Sequence, residues 1–373
     1  MKNTTNLMRG VTFFHHSGVA IVYVFMPILA QSLTTNIFEV GVTIASFFFA
    51  QILASIYFGR ISDKSGKRLL FIRIGFIACA ATFGLHYIAT DSASLLIVRL
   101  GAGVAAGMTV PAMLAYTYES GKDKSKVASI ISFHALGWLA GIVAAGITNN
   151  EKTIFLISAG LFIIGLALSA RLPNHTSTET THIGATRSVI AKNKFLFLSL
   201  LLRHTGATAV WTILPLVLTE TFGAKLYEVS IVYVANTGMA FVMMNMMAGK
   251  ITMQNVTKFK IGVGLTTFVF IGLALIQDWW MAIPAMALVG VTWAFLYIGG
   301  SIHLMENNPR STSTGIFNST IAIANVAGPL IAGTIGFYYN SVSVMYFAIV
   351  MCMVAFAVSL KVRHVEIKKE MEK

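Results

Sequence analysis

Residues 59–68 read Gly-Arg-Ile-Ser-Asp-Lys-Ser-Gly-Lys-Arg, a short charged stretch between two long apolar runs. Its two glycines permit a tight reversal of the chain. Four cations and one carboxylate fall within these ten residues, although only 11% of the whole chain is charged. The stretch therefore predicts a turn that lies outside the apolar part of the fold.

The composition places the chain in the membrane class. It is 56% hydrophobic over 373 residues, whereas soluble domains carry about 25% charged residues. No soluble core of this size could bury so much apolar surface. The first apolar run lacks the features of a cleaved signal peptide, so we expect it to be retained as a span. Cys79 and Cys352 lie in separate apolar runs, and no disulfide is predicted.

Twelve runs are long enough to cross a bilayer, which needs about 20 apolar residues in a helix. We therefore predict an all-α integral membrane protein with 12 transmembrane helices. The predicted spans are 7–32, 38–59, 69–90, 93–118, 126–148, 153–172, 194–219, 226–249, 259–277, 280–304, 312–337 and 341–362.

The longest connection, 173–193, is rich in Thr, Ser and His and divides the spans six and six. We interpret it as a cytosolic linker. It separates an N-terminal six-helix bundle, 1–172, from a C-terminal six-helix bundle, 194–373.

The two halves repeat each other at a spacing of about 188–190 residues. Residues 14–18 (Phe-His-His-Ser-Gly) match residues 202–206 (Leu-Arg-His-Thr-Gly), and Pro27 matches Pro215. The repeat predicts two pseudo-symmetric bundles. Secondary transporters are often built this way, with the substrate site near the midplane between the repeats.

The distribution of Lys and Arg predicts the orientation. With both termini in the cytosol, 23 of the 27 cations fall on the inner side and two on the outer side. Arg99 and Arg203 remain within spans. This asymmetry follows the positive-inside rule of a cytoplasmic (plasma) membrane protein. It also accounts for the net charge of +13, so nucleic-acid binding is not predicted.

The charged stretch resembles the signature loop of the major facilitator superfamily (MFS), and the similarity extends over the whole chain, as in the twelve-helix drug/H+ antiporter-like branch. The resemblance implies the MFS fold and a loop carboxylate that latches the two halves together. We expect that latch to join Asp63 to residues 311–314; alternatively, the loop only fixes the topology through its charge. The matching positions are Gly59, Asp63, Lys64, Gly66, Lys67 and Arg68.

Two further patterns resemble motifs of the same family. Arg99 is followed by spaced glycines in the fourth span, and a glycine-rich pattern occupies the fifth span. Proton-driven drug antiporters carry Pro and Gly where this chain has Ile142 and Ala145. That departure weakens an antiporter assignment. Arg99 is expected either to take part in coupling or to anchor the packing of its span.

Arg203 is the most unusual residue of the spans. It lies about ten residues into the seventh span, roughly 15 Å deep. An intramembrane Arg is by default a functional hypothesis. The resemblance implies that spans one, four, seven and ten line a central cavity, where Arg203 would pair with an anionic group. The alternative is a structural hydrogen-bond hub between helices.

Three histidines, His15, His16 and His204, lie at the matched depth of the two halves. An imidazole titrates near neutral pH and can carry a coupling proton; equally, each could be a neutral histidine hydrogen-bonded across helices. No metal site is predicted, because no carboxylate or cysteine joins them at ligand spacing. His134 is a weaker candidate, and we expect Tyr23 and Trp211 to line the cavity.

The fourteen acids lie in loops, tails or span ends. A cavity without a mid-span carboxylate favours an anion or a neutral polar solute over a cation. We therefore predict a monomeric, proton-coupled secondary active transporter of a small organic anion or polar metabolite. The alternative is a multidrug/H+ antiporter acting in efflux. A solute sensor or a membrane enzyme is more remote, since no catalytic cluster is evident. No cofactor is predicted.

Overall fold

The computed structural model describes residues 2–120, 124–150, 152–174, 185–249, 251, 253–308 and 310–363. Within these ranges the regular structure is helical, with no strand. The α-helices are α1 (Lys2–Tyr23), α2 (Met26–Leu33), α3 (Ile37–Ser65), α4 (Arg68–Leu85), α5 (Ser92–Ser120), α6 (Lys124–Thr148), α7 (Thr153–Ala170), α8 (Ala185–Lys192), α9 (Lys194–Leu216), α10 (Leu226–Gly249), α11 (Asn255–Ala274), α12 (Ala282–Asn307), α13 (Arg310–Tyr338) and α14 (Ser341–Ser359).

The predicted all-α membrane fold is confirmed. In the described residues, ten helices are long and apolar enough to cross a membrane. One bent pair, Thr4–Tyr23 with Met26–Leu33, forms a further broken span, and Ser132–Thr148 is a shorter apolar helix within α6. These twelve segments occur at the twelve positions predicted from the apolar runs.

The first span is not one continuous helix, as predicted for 7–32. It bends by 40° between α1 and α2, and Pro27 lies in the first turn of α2. Proline is favoured in that turn because its missing N–H would have no partner there. The matching Pro215 lies inside α9, which continues into a π-helical turn, Val217–Thr221. Both halves therefore interrupt regular α-helix at the same depth.

The charged stretch is largely helical, so the predicted turn over 59–68 is too long. Helix α3 continues to Ser65, and the reversal is confined to Gly66 and Lys67. Gly66 adopts a φ of 65°, and its N–H donates to the Ser62 carbonyl oxygen over 3.0 Å. Such left-handed caps are usually glycine, because a Cβ is disfavoured there. Charged side chains at the end of a span can reach the interface, which allows the helix to continue.

Close helix packing follows the repeat. Gly141 of α6 lies against α1, where an added Cβ would be 2.5 Å from the Ser17 carbonyl oxygen. Gly328 of α13 lies against α9 in the same way, beside Thr208 and 2.8 Å from the Thr205 carbonyl oxygen. Small residues let transmembrane helices approach closely. The equivalent helix pairs α1–α6 and α9–α13 are therefore held by equivalent glycines.

The two halves meet at one side of the membrane. We call the face at which α1 begins and α14 ends the terminal face, and the other the opposite face. At the opposite face, Gly41 of α3 lies against Pro329 and Gly333 of α13, and Gly146 of α6 lies against Ser230 of α10. Among the described glycines, those that contact the other half lie at this opposite face, whereas Gly315 of α13, toward the terminal face, is exposed and an added Cβ there would meet nothing within 4 Å.

We retain the division into 1–172, 173–193 and 194–373 as a proposal. Helices α1 and α3–α7 pack mainly among themselves, as do α9–α14. Part of the proposed linker, residues 175–184, lies outside the described residues, and the rest includes the short helix α8. Each bundle therefore packs chiefly on itself, and the two meet through α3 with α13 and α6 with α10.

Candidate functional site

A narrow pocket lies between the two halves, next to the closed opposite face. Helices α1, α2, α3 and α5 of the first half contribute to it, as do α9, α10 and α13 of the second. Its position fits the central cavity that the repeat predicts. The lining residues, none of which is acidic, are Tyr23, Val24, Met26, Pro27, Ile44, Phe48, Arg99, Thr208, Trp211, Thr212, Tyr233, Asn325 and Pro329.

Arg99 supplies the cation of this pocket. Its side chain is only 2% exposed, and the guanidinium lies 4.4 Å from the centroid of the Phe47 ring. Its Nε is buried without a hydrogen-bond partner. The glycines that follow Arg99 let α5 pack closely on α3. Gly103 lies against the Phe47 carbonyl group, and a Cβ added to Gly107 would lie 2.5 Å from the carbonyl oxygen of Gln51. They hold the helix that carries the cation.

Tyr23 and Trp211, which occupy equivalent places in the repeat, both line the pocket. The Tyr23 ring packs edge-on against Trp138 of α6, with the centroids 5.1 Å apart. The Trp211 ring packs against Phe270 of α11 at 5.8 Å. Each aromatic side chain therefore joins the pocket wall to the interior of its own half.

His16 and His134 come together, although 118 positions separate them in the sequence. Their ring centroids are 3.9 Å apart, and His134 is exposed although it lies within α6. One turn further along the same face of α6 is Trp138, whose counterpart in the repeat of α13 is the pocket residue Asn325. The His16–His134 pair therefore lies beside the space between the halves, on the side open to the terminal face.

His15 points the other way, into the interior of the first half. It is 1% exposed, and its ring packs edge-on against Phe76 and Phe162, with centroids 5.7 and 5.6 Å away. Both ring nitrogens are buried without a hydrogen-bond partner. Adjacent helical residues point about 100° apart, so only one of His15 and His16 can face the cavity.

Arg203 lies inside the second half, not on the pocket wall where we expected it. Its Nε donates to the Thr266 hydroxyl over 3.1 Å and its Nη2 to that of Thr292 over 3.4 Å. The guanidinium lies 5.8 Å from the Trp293 ring centroid. Arg203 is the repeat counterpart of His15, and Thr266 is that of Phe76. The contacts support the alternative interpretation, a hydrogen-bond hub between helices.

His204 links this hub to the pocket. Its Nδ1 lies 3.4 Å from Nη1 of Arg203, and its ring stacks on Trp293 with the centroids 5.4 Å apart. Its ring also lies beside the side chain of the pocket residue Asn325. Arginine can only donate hydrogen bonds. The Nδ1 of His204 must therefore accept, and its proton lies on Nε2.

Two pocket residues escaped the sequence interpretation. Tyr233 of α10 is 5% exposed, and its buried hydroxyl has no hydrogen-bond partner. Asn325 of α13 is the other. Both are uncharged polar side chains in apolar spans, a weaker signal than a histidine or an arginine. The repeat could have indicated Asn325, since its counterpart Trp138 lies one turn from His134.

The motif loop lies at the terminal face. Arg68 is 3% exposed and forms an ion pair with Glu119, with Nη2 and Oε1 3.0 Å apart. Its Nη1 donates to the Ser62 hydroxyl over 3.1 Å. The side chain of Asp63 lies outside the described residues, so the latch stays a prediction. At another motif position, Gly59, an added Cβ would lie 3.8 Å from Pro111. Lys64 and Lys67 of the motif are exposed.

No metal centre is evident in the part of the chain that the structure describes. No three His, Cys, Asp or Glu side chains there form a group that could hold a metal ion. The His16–His134 pair is therefore a site of two imidazoles without a third such ligand in those residues.

Comparisons with known proteins agree with this architecture. The Major Facilitator Superfamily profile matches residues 10–318. The multidrug resistance protein MdtG of Proteus mirabilis is 24% identical over 90% of this chain and 89% of its own length. The proton-coupled antiporter flippase LtaA of Staphylococcus saprophyticus is 24% identical over 84% of this chain and 83% of its own.

Solved structures show the same fold at low sequence identity. The nucleoside transporter NupG superposes with a TM-score of 0.80 at 15% identity, over 97% of this chain and 100% of NupG. A bacterial homologue of the human lysosomal transporter Spinster, inward-facing and occupied, superposes with a TM-score of 0.76 at 12% identity, over 95% of each chain. At these identities the likeness shows the fold alone.

Proposed function

Because the chain belongs to the Major Facilitator Superfamily, we propose that it moves a small solute by alternating access, with protons carried by His16 and His134. The chain is a multi-pass membrane protein. We propose transport without an enzymatic activity, by a monomer in the cytoplasmic membrane with both termini in the cytosol. In that orientation the terminal face is the cytosolic face.

The contact between His16 and His134 carries this proposal. Two charged groups about 4 Å apart repel each other by roughly 4 kcal/mol at the effective dielectric constant near a protein surface. The pair can therefore hold one proton far more easily than two. A site that alternates between neutral and singly charged forms is what a one-proton coupling step requires.

Access to the pair depends on the conformation. Toward the terminal face, Gly315 of α13 and His134 of α6 are both exposed. Closing that face and opening the opposite one would transfer access to the other side of the membrane. Proton exchange with alternating sides supports coupling, because binding of the proton and of the solute then favours particular states.

The second half is less suited to carry the proton. A permanent cation, Arg203, lies 3.4 Å from Nδ1 of His204, and a second positive charge there would be repelled. In the first half, the equivalent place is taken by His15. The repeat therefore differs at the position that decides which histidine can accept a charge.

The solute that the pocket favours is a small organic anion or a polar metabolite. None of the lining residues is acidic, and Arg99 provides a positive charge. A lipophilic cation would bring its charge beside Arg99 without a carboxylate to neutralise it, which is costly in a buried site. The hydroxyl and amide groups of Tyr233 and Asn325 suit a polar partner.

The test uses purified protein in vesicles that contain a pH-sensitive dye. Carboxylates, nucleosides and the cationic dye ethidium are added one at a time, and proton movement is recorded. Wild type should move protons with at least one of these compounds. His16→Gln and His134→Gln should each reduce coupled proton movement by at least tenfold, whereas the matched control His86→Gln, whose Nδ1 is hydrogen-bonded to the backbone carbonyl of Thr82 in α4, should retain most of it. Coupled movement at the wild-type rate in the H16Q/H134Q double variant contradicts the proposal.

A second candidate is multidrug/H+ efflux. It is favoured by the similarity to MdtG, named a multidrug resistance protein, over nearly the whole chain. It is also favoured by the aromatic rings of Tyr23, Phe48 and Trp211, which line the pocket from both halves. Expression in a strain without drug pumps separates the two: active ethidium export that persists in Arg99→Gln would support efflux of cations over anion transport.

A further inference from the structure

We propose that the pocket between the halves is a carboxylate-binding subsite formed by Arg99, Tyr233 and Asn325. This inference rests on the proposed function, since the carboxylate belongs to the transported solute. Arg99 comes from α5 in the first half, and the other two come from α10 and α13 in the second. The subsite therefore exists only while these three helices are together.

The charge of Arg99 is not compensated within the pocket. The face of the Phe47 ring lies against its guanidinium, and a cation–π contact contributes about 0.5–2 kcal/mol. Burying a charge costs several kcal/mol unless it is paired. Arginine keeps its charge, so it cannot escape this cost by losing a proton. An anion in the pocket would supply the missing partner.

Among the residues that line the pocket, the Nε of Arg99 is one of two buried donors without a hydrogen-bond partner. The hydroxyl of Tyr233 is the other, and both side chains line the same pocket. Buried polar atoms are nearly always hydrogen-bonded in folded proteins. Two orphaned donors at one place, one of them charged, indicate a missing acceptor with negative charge.

The third donor is oriented by a chain of contacts. Arg203 fixes the proton of His204 on Nε2, because Nδ1 must accept from the guanidinium. The His204 ring lies beside the side chain of Asn325. The amide of Asn325 offers its NH2 group as the third donor to the pocket. Arg203 is in this sense a positioning residue for the subsite.

The charge and geometry of the donors select the class of anion. Tyr23, Trp211 and Pro329 also line the pocket. One cation and two neutral donors suit a monoanion, whereas a phosphate of charge near −2 would need further positive charge. The planar carboxylate also matches the fork of a guanidinium. The body of the solute would extend toward the open terminal face.

Binding a carboxylate here would bridge the two halves. The anion would join α5 to α10 and α13 and would stabilise the state in which the opposite face is closed. Opening that face separates Arg99 from Tyr233 and Asn325, which dismantles the subsite. Release to the opposite side follows from this separation, because each half alone offers fewer partners to the anion.

The test measures the thermal unfolding of the full purified chain in detergent at constant ionic strength. Sodium benzoate is the probe, benzamide is its uncharged counterpart, and sodium chloride reports on free inorganic anions. Ligands that bind only the folded state raise the apparent stability. We expect a saturable rise with benzoate, none with benzamide, and a much smaller one with chloride.

The variants separate the subsite from packing. Arg99→Gln should weaken benzoate binding by roughly 100-fold and Tyr233→Phe by roughly tenfold, since both lose a hydrogen bond to a charged group. Without benzoate, Arg99→Gln should unfold at a higher temperature than wild type, because an unpaired buried charge is gone. A packing anchor would give the reverse: a lower unfolding temperature and unchanged benzoate affinity.

Three results overturn the inference: no stabilisation of wild type by benzoate, equal stabilisation of the Arg99→Gln and Tyr233→Phe variants, or an equal effect of chloride, which assigns the pocket to an inorganic anion. The measurement involves no membrane and no pH gradient. Loss of this inference therefore leaves the proton-coupling test intact, and failure of proton coupling leaves the binding result intact.

Discussion

Substitution of Gly41 by alanine should open the opposite face. The new Cβ would press on the Pro329 carbonyl oxygen and lie 3.1 Å from Cα of Gly333. Both neighbours are backbone atoms of α13, so no side-chain rotation can relieve the contact. Ordinary van der Waals distances begin near 3.4 Å, and α3 and α13 must therefore move apart by several tenths of an ångström or more.

The magnitude follows from the packing. Overfilling a close contact costs about 1–3 kcal/mol, and this cost falls only on the state in which α3 and α13 touch. The equilibrium between the two states should therefore shift by about 5- to 150-fold toward the state with the opposite face open. A population of that state too small to detect in wild type would become measurable in Gly41→Ala.

Spin labels on exposed positions at the opposite face report this shift. Thr35→Cys and Tyr339→Cys place one label at the start of α3 and the other just past the end of α13. Cys79 and Cys352 are 0% exposed and should not react. Double electron–electron resonance should show a longer distance in Gly41→Ala than in the parent.

The matched control is Gly315→Ala on α13, the helix that Gly41 contacts, where the new Cβ would meet nothing within 4 Å. It reproduces the change in helix propensity without the contact. Its distance distribution should equal that of the parent. If Gly41→Ala gives the same distribution as Gly315→Ala, the contact at Gly41 does not control closure and the reasoning is refuted.

Two further substitutions test the interpretation of single residues. Gly66→Ala places a Cβ at a φ of 65° and should lower the free energy of unfolding by about 1 kcal/mol, which is measured as a lower unfolding temperature. The control is Gly160→Ala inside α7, where the added Cβ meets nothing within 4 Å. It should not lower the unfolding temperature. Arg203→Met should change the affinity for benzoate far less than Arg99→Gln does, because Arg203 acts through His204; an equal loss in the two variants would contradict the assignment of Arg203 to the bundle interior.

The sequence predicted the spans well because run length carries that information. Twelve apolar runs, one charged turn and an internal repeat determine which segments cross the membrane and which of them are equivalent. The extent of the turn was wrong for a local reason. A charged residue such as Lys64 can remain on a helix that has passed the membrane surface, so charge does not mark the helix end, whereas the left-handed Gly66 does.

The direction of side chains within the spans could not be predicted in the same way. In a helix that is apolar on every side, periodicity does not distinguish the face toward the cavity from the face toward neighbouring helices. His15 and His16 are equally polar, yet one packs on Phe76 and the other on His134. Arg203 was assigned to the cavity from its depth and from the family resemblance, and its hydroxyl partners lie far away in sequence.

The pocket shows the same limit. Arg99 was predicted as a site residue from its charge, and Tyr23 and Trp211 from their equivalent places in the repeat. Tyr233 has no such mark in the sequence, and its importance arises from an unpaired hydroxyl that only the three-dimensional packing reveals. The repeat indicated which helices face each other, but the buried donors without a hydrogen-bond partner are visible only in the structure.

The hub at Arg203 also constrains how the chain enters the membrane during synthesis. An arginine near the centre of a span raises the insertion free energy by about 2.5–3.5 kcal/mol. The two hydroxyls that accept its hydrogen bonds lie 63 and 89 residues further along the chain, on α11 and α12. Helix α9 therefore leaves the translocation machinery without its partners, or waits beside it until they emerge. The first half, with an uncharged imidazole at that place, has no such delay built into its biogenesis.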